Sequence, residues 1–193
     1  MANRGLLIVL SGPSGVGKGS IRRRLFMRED IDLSYSISMT TREPRNGEID
    51  GVDYFFVSQQ EFKDNVEKGN LLEYAKFVGN YYGTPKNYVE KLLNNGKNVF
   101  LEIEIEGARQ VVEKMKDAVT IYLMPPSIEE LERRIRGRRS EPEEVVKERM
   151  DKAKREIKSY TEYKYVVYND SLEKATEEIA NIILNEINKE EVL

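Results

Sequence analysis

Leu6-Leu-Ile-Val-Leu-Ser-Gly-Pro-Ser-Gly-Val-Gly-Lys-Gly-Ser20 changes character halfway along, and that change sets the fold. Leu6 to Leu10 is a continuous apolar run, the pattern of a strand buried on both faces of a parallel sheet. Gly12-Pro-Ser-Gly-Val-Gly-Lys18 follows with the spacing of a phosphate-binding loop. Its glycines let the backbone curl so that successive N–H groups face one concavity, and Lys18 adds a mobile positive charge. From Ser20 onward, Ile21 to Leu25 reads as a helix whose positive N-terminal end faces the same anion. One position departs from the pattern: Gly19 stands where Ser or Thr is expected after the lysine, and Ser20 comes one residue later. The alternative, an ordinary glycine turn between strand and helix, does not account for the lysine or for the spacing of the three glycines.

The 193 residues suit one compact domain, with room for small inserted lobes. A net charge of −3 gives no reason to expect binding to nucleic acid or to an anionic membrane. With no cysteine there is neither a disulfide nor a thiolate metal site, and with no histidine the commonest general base is missing. Catalysis must then run on Lys, Arg, Asp, Glu, hydroxyls or bound metal ions. The first apolar run leads straight into the glycine loop, so no signal peptide is expected, and no run approaches the ~18 apolar residues of a membrane span. A cytoplasmic protein is expected.

Further along, Leu33 to Met39 reads as a short strand, followed by the polar turn segment Thr40 to Gly51. Tyr54 to Val57 reads as a strand, and Ser58-Gln-Gln-Glu61 as a capping box opening a helix with Phe62 and Val66 on its apolar face. Leu71 to Phe77 and Asn80 to Tyr82 read as two strands joined at Gly79, ahead of a helix near Asn87 to Leu93. Val99 to Ile105 reads as a core strand with Glu102 and Glu104 on one face. Val119 to Leu123 is another strand. Ser127-Ile-Glu-Glu130 is a second capping box, with Ile128, Leu131 and Ile135 on one helical face. Ser140 to Glu143 caps a helix with the stripe Val146, Met150, Ala153 and Ile157. Tyr165 to Tyr168 is a last strand, and Leu172, Ala175, Ile179, Ile183 and Ile187 mark a final amphipathic helix. Strands alternating with helices around such a loop predict an α/β fold with a parallel sheet covered on both faces.

The chain resembles the guanylate kinase family over nearly its whole length. The resemblance is carried by Ser11 to Ser20, by Ser38-Met-Thr-Thr-Arg-Glu-Pro-Arg45 with Gly47-Glu48 and Gly51-Val-Asp-Tyr54, and by Glu73 to Thr84. Glu102-Ile-Glu-Ile-Glu-Gly107 and Arg134 to Arg149 add to it. It implies a P-loop core in three layers (residues 1–32, 85–126 and 161–193), a small mostly-β GMP-binding insert (33–84) and a helical lid (127–160). It also implies the reaction ATP + GMP ⇌ ADP + GDP, with Mg²⁺ and with dGMP as a second acceptor. Gly12, Pro13, Ser14, Gly15, Val16, Gly17, Lys18, Gly19 and Ser20 are then ATP-binding, and Asn169 is an adenine contact from the resemblance alone. Related monophosphate kinases often place Gly after the lysine, so Gly19 is a small departure. Glu104 is a larger one: the family usually has Asp there, and the extra methylene moves the carboxylate by ~1 Å or more.

Arg42 and Arg45, three apart, can converge as two guanidinium forks on one phosphate. Tyr54 and Tyr82 add hydroxyls to that group by the family pattern. Glu73 sits in a strand-like segment where an acid needs a partner, and a carboxylate accepts both the N1–H and the N2 amino group of guanine. Ser38 and Thr84 are placed on O6 and N7 by analogy. Among the basic run at Arg133 to Arg139, Arg134 and Arg138, with Arg149 beyond it, match the lid positions that neutralise phosphoryl transfer. Glu104 is assigned to the GMP site and, with Ser20, to Mg²⁺ through water. A rival class remains: scaffold proteins use the same fold to hold peptides, generally without the P-loop lysine. A third reading, a related kinase for another small phosphate ester, fits the Ser38, Glu73 and Thr84 set less well.

Overall fold

The computed structural model describes residues 4–77, 79–137 and 143–191. In chain order the elements begin with β1 (Leu7–Ser11), α1 (Lys18–Leu25), β2 (Leu33–Tyr35), β3 (Met39–Thr40), β4 (Phe55–Phe56) and α2 (Gln59–Glu67). There follow β5 (Leu71–Phe77), β6 (Asn80–Pro85), α3 (Lys86–Asn94), β7 (Asn98–Glu102), α4 (Ile105–Lys114) and β8 (Val119–Met124). The chain then runs through α5 (Ile128–Arg136), α6 (Glu143–Ile157), a 3-10 turn, β9 (Tyr165–Tyr168) and α7 (Leu172–Glu191).

β1 is buried along its whole length and is the middle strand of a five-stranded sheet ordered β2-β7-β1-β8-β9. Every pairing in that sheet is parallel. Side chains alternate across a strand, so Ile8 and Leu10 join one core with Ile21, Leu25, Leu131, Ile135 and Ile179. Leu7 and Val9 join a second core with Val89, Leu93, Ala108 and Val111. Helices α1, α5, α6 and α7 thus line one face and α3 and α4 the other, the three layers expected from an apolar first strand. A second, four-stranded sheet, ordered β4-β3-β6-β5, carries α2, whose Phe62 is buried and stacks on Tyr81. Among the described residues no helix is long and apolar enough to cross a membrane.

Both capping boxes form on their helix side: Ser58 Oγ accepts from Glu61 N and Ser127 Oγ from Glu130 N, each at 3.1 Å. Four expectations change. Leu33 to Met39 is two strands rather than one: β2 pairs with β7 in the large sheet and β3 lies in the small one, so the inserted sheet starts at Met39, not at residue 33. The break falls at the polar stretch Ser36 to Ser38, where the chain passes from one sheet to the other. The strand read over Val99 to Ile105 ends at Glu102, because Ala108, Val111 and Met115 carry a helical stripe that buries against β1 and β7, while Ile105 buries with Tyr122 and Met124 of β8. Glu104 therefore stands at the N-cap of α4, where an acid suits the helix dipole, and does not share a strand face with Glu102. Ile128 is 42% exposed, which leaves Leu131 and Ile135 as the buried stripe of α5. The cap read at Ser140 to Glu143 lies, up to residue 142, outside the described residues.

Candidate active site

The loop after β1 turns at the carboxyl edge of the sheet, where a parallel α/β fold collects ligands. Gly17 caps α1 with φ 108°, and a Cβ there would lie 2.7 Å from Asn169 Nδ2, so only glycine fits. Asn169 follows β9 and is buried, and its Nδ2 donates to Val16 O at 2.8 Å. The start of the last helical segment and the loop are thereby fixed to each other. Lys18 opens α1, and its Nζ donates to Gly12 O at 2.6 Å and lies 3.8 Å from Glu104 Oε1. Burial pushes the Lys18 ammonium below its ordinary pKa, against the pull of Glu104, Glu102 and Glu156.

A cleft of about 560 Å³ runs along Ser14 to Ser20 and is closed by Arg22, Arg23, Glu102 and Glu104. Its acids come from the end of β7 and the cap of α4: Glu102 pairs with Arg22 at 3.2 Å, and Glu104 with Lys152 of α6 at 3.1 Å. Ser20 Oγ accepts from Arg23 at 3.3 Å. A second cleft, of about 350 Å³, shares Gly15, Gly17 and Ser20 and is walled by Arg134, Asn169 and Leu172. Arg134 reaches it from α5, donating to Val16 O at 3.3 Å and Asn169 O at 3.1 Å. Arg149 of α6 donates to Ser14 Oγ at 3.3 Å. Of the predicted arginines on this side, the structure therefore brings Arg134 and Arg149 to the loop; Arg138 lies outside the described residues.

The small sheet gathers the second set. Arg42 follows β3; its guanidinium donates to Glu48 Oε1 at 2.8 Å and lies 5.4 Å above the Tyr54 ring. Glu48 Oε2 also accepts from Arg45 N at 2.7 Å, and these two bonds hold its carboxyl below the usual carboxylate range. Tyr54 and Tyr82 meet edge to face, with centroids 6.0 Å apart. The Arg45 side chain is exposed. Ser38 lies just before β3, its carbonyl accepting from Phe55 N at 2.9 Å. Glu73 of β5 is 7% exposed, and Thr84 of β6, itself buried, donates to its Oε1 at 2.6 Å. Burial raises the Glu73 pKa, opposed by the Thr84 bond and by Lys114.

Three residues to which the sequence assigned no part in the site organise these groups. Glu48 orients Arg42 and the Arg45 backbone together. Glu130, one turn before Arg134, accepts from it at 2.8 Å and, shared with Arg133, drops to about 2. Glu156 of α6 accepts from Ser14 N at 3.3 Å. Glu48 stands beside Gly47 in a polar turn, a signal that could have marked it; Glu156 sits in a helix of alternating charges with nothing local to distinguish it.

A family model described as guanylate kinase matches residues 4–186. The guanylate kinase of a Bacillus cereus strain is 56% identical over 185 residues, covering 96% of this chain and 90% of that protein. That of Enterococcus faecalis is 54% identical over 186 residues, covering 96% and 91%. The crystal structure of guanylate kinase from Anaplasma phagocytophilum superposes with a TM-score of 0.72 at 32% identity, over 95% of this chain and 87% of that one. The SH3-kinase fragment of tight junction protein 3 has a TM-score of 0.50 at 8% identity, over 95% of this chain and 57% of that one, a likeness of fold alone.

Proposed function

Because the chain belongs to the guanylate kinase family, and so transfers the γ-phosphoryl group of ATP to GMP to give ADP and GDP, we propose a division of that work between its two clusters. ATP lies along the loop from Gly12 through Pro13 to Ser20, its phosphates met by the backbone N–H groups of the loop and by Lys18. Its adenine lies towards Asn169. Arg134 and Arg149, with Arg138, neutralise charge on the transferring group. The GMP phosphate is held by Arg42 and Arg45 with the hydroxyls of Tyr54 and Tyr82. No general base is needed, since the attacking oxygen of GMP is already an anion, and a chain without histidine suits a reaction run on positioning and charge neutralisation.

Kinases of this family generally use ATP with Mg²⁺. Ser20, Glu102 and Glu104 line the loop cleft, which suits an ion that keeps several waters and takes only one or two carboxylates beside the substrate phosphates. Ser20 and, through water, Glu104 would hold it there, and it would supply charge neutralisation on the phosphates. We place the enzyme in the cytoplasm with its nucleotide substrates, and accept dGMP because none of these assignments falls on the ribose 2′-hydroxyl. The intact Lys18 and its loop favour the enzyme over a peptide-holding module of the same fold.

The observation that carries the base assignment is Glu73, an acid buried in a strand with one neutral hydroxyl bond. A guanine edge offers the two donors it lacks, and Glu104 approaches the same nucleotide from the cap of α4. Thr84 gives its single proton to Glu73, which makes it a brace for the acid; it reaches O6 or N7 only if that hydroxyl turns, so Ser38 carries more of this role. Adenine presents a lone pair at N1 and no 2-amino group, and sites built on such bonds discriminate by roughly 10⁴-fold. The test is ADP release with ATP and a panel of monophosphates. GMP should be strongly preferred, Glu73→Ala should narrow the GMP/AMP ratio of kcat/KM, and Arg42→Ala should weaken all monophosphates alike. A ratio unmoved by Glu73→Ala would remove the base assignment.

A further inference from the structure

β5 does not run evenly beside β6. Leu71 faces Pro85 and Tyr74 faces Gly83, so β5 carries one residue more than its partner over this stretch. Leu71, Leu72 and Glu73 are buried one after another across this bulge. β5 is also the edge of the small sheet, and its outer edge is covered by α4. Lys114 Nζ donates to Leu71 O and Leu72 O, each at 2.8 Å. The Gln110 side-chain amide accepts from Tyr74 N and donates to Tyr74 O, each at 3.1 Å, taking the place of a next strand. One turn earlier on the same face stands Gly107, where a Cβ would lie 2.8 Å from Glu73 Oε2. The adjacent stripe of α4, Ala108 and Val111, is sealed into the core with Leu7, Val9 and Leu72.

We propose that the α4 face of Gly107, Gln110 and Lys114 positions Glu73 and so sets the preference for guanine. This rests on Glu73 reading the base, as assigned above. Gly107 leaves the space that the carboxylate occupies, Gln110 and Lys114 fix the backbone on either side of it, and Thr84 holds its other oxygen. The acid is thus located from the core helix on one side and from β6 on the other, before any ligand arrives. Lys114 also stands as the cation that works against the burial of the acid. These are positioning residues: none of them is assigned a contact with nucleotide.

The experiment measures kcat and KM for GMP and AMP, and KM for ATP, in Gly107→Ala and Gln110→Ala, each alone and combined with Glu73→Ala. Gly107→Ala should raise KM for GMP and lower the GMP/AMP ratio of kcat/KM by roughly tenfold or more, since displacements of about 1 Å cost that much. Gln110→Ala should act in the same direction, and KM for ATP should stay where it was. In the Glu73→Ala background neither substitution should move the ratio further, because the two act through one group. If Glu73→Ala narrows the ratio while both α4 variants leave it intact, the positioning role is wrong and the base assignment stands. If the α4 variants lower the ratio equally with and without Glu73, they act on general packing and the proposal is likewise overturned. If Glu73→Ala itself does nothing, both fall. Should Gly107→Ala fail to fold, the half-buried Gln110 decides alone.

Discussion

Lys18 is held by charge and hydrogen bonds rather than by shape, with Nζ on Gly12 O and Glu104 nearby. Truncating it should therefore cost turnover and not fold. Lys18→Ala is expected to lose on the order of 10²–10³-fold in kcat with an unchanged melting profile; near-normal turnover in the folded variant would separate the loop from the chemistry. Glu73 behaves in the opposite way. Its folded pKa lies above the ordinary 4.5, with burial as the main cause, so the unfolded chain ionises it more readily than the folded one. Stability attached to this group is complete below 4.5 and is lost as pH rises through the folded value. At pH 8 the burial of this acid costs stability, so Glu73→Gln should melt higher than the parent while its preference for GMP collapses. The gap in Tm should close as pH falls towards 4.5; a variant that melts lower at pH 8 would show the carboxylate to be a net stabiliser.

Elements written in local pattern were legible in the sequence: the apolar run of β1, the glycine spacing that opens α1, the serine caps of α2 and α5, the stripe of α6. What was not legible depends on partners distant in the chain. β2 and β3 read as one strand because only pairing assigns them to different sheets. α4 was hidden because its first residues continue the β7 pattern, and its stripe acquires meaning only against Leu7 and Val9. Arg42 and Arg45 could be picked out by type and spacing, and Glu73 and Thr84 through the resemblance, but a role for Gly107 could not, since an absent side chain announces nothing until its neighbour is placed. The C-terminal helix offers a test at this scale. Glu186 of α7 is 6% exposed and takes Lys164, Tyr165 at 2.8 Å and Lys189 at 2.6 Å. Burial works against the charge, but those bonds together hold the Glu186 carboxyl at about 2, down from 4.5. A depressed pKa adds stability above 4.5 that is lost as pH falls towards 2. Glu186→Gln should therefore lower stability at pH 7 by about 1–3 kcal/mol, with the difference shrinking below pH 4.5. A difference independent of pH would mean that packing, not charge, joins α7 to β9.

The molecule as a whole keeps its two cationic clusters on different sheets. Lys18, Arg134 and Arg149 gather at the edge of the five-stranded sheet, while Arg42 and Arg45 belong to the four-stranded one. Phosphoryl transfer requires the donor and acceptor phosphates to meet in line, within ~3–3.5 Å of reacting contact. The charged groups around them gain most when water is excluded. The chain crosses between the two sheets at Ser36 to Ser38, where β2 gives way to β3, and again where β6 ends at Pro85 and α3 begins. Bending at these crossings, with β5 kept on α4 as the pivot, would bring Arg42 and Arg45 towards the loop without unpairing either sheet. The arginines now tied to Glu48 and Glu130 would then exchange carboxylate for phosphate, a swap of like for like that leaves little to oppose closure. Small-angle scattering should therefore show the radius of gyration contract when a bisubstrate analogue, in which adenosine and guanosine are joined through a phosphate chain, is added. ATP or GMP alone should each produce less than the full change, because each fills only one cluster. A radius that does not move with the bisubstrate analogue would mean that the clusters already face each other at reacting distance, and that closure plays no part in this enzyme.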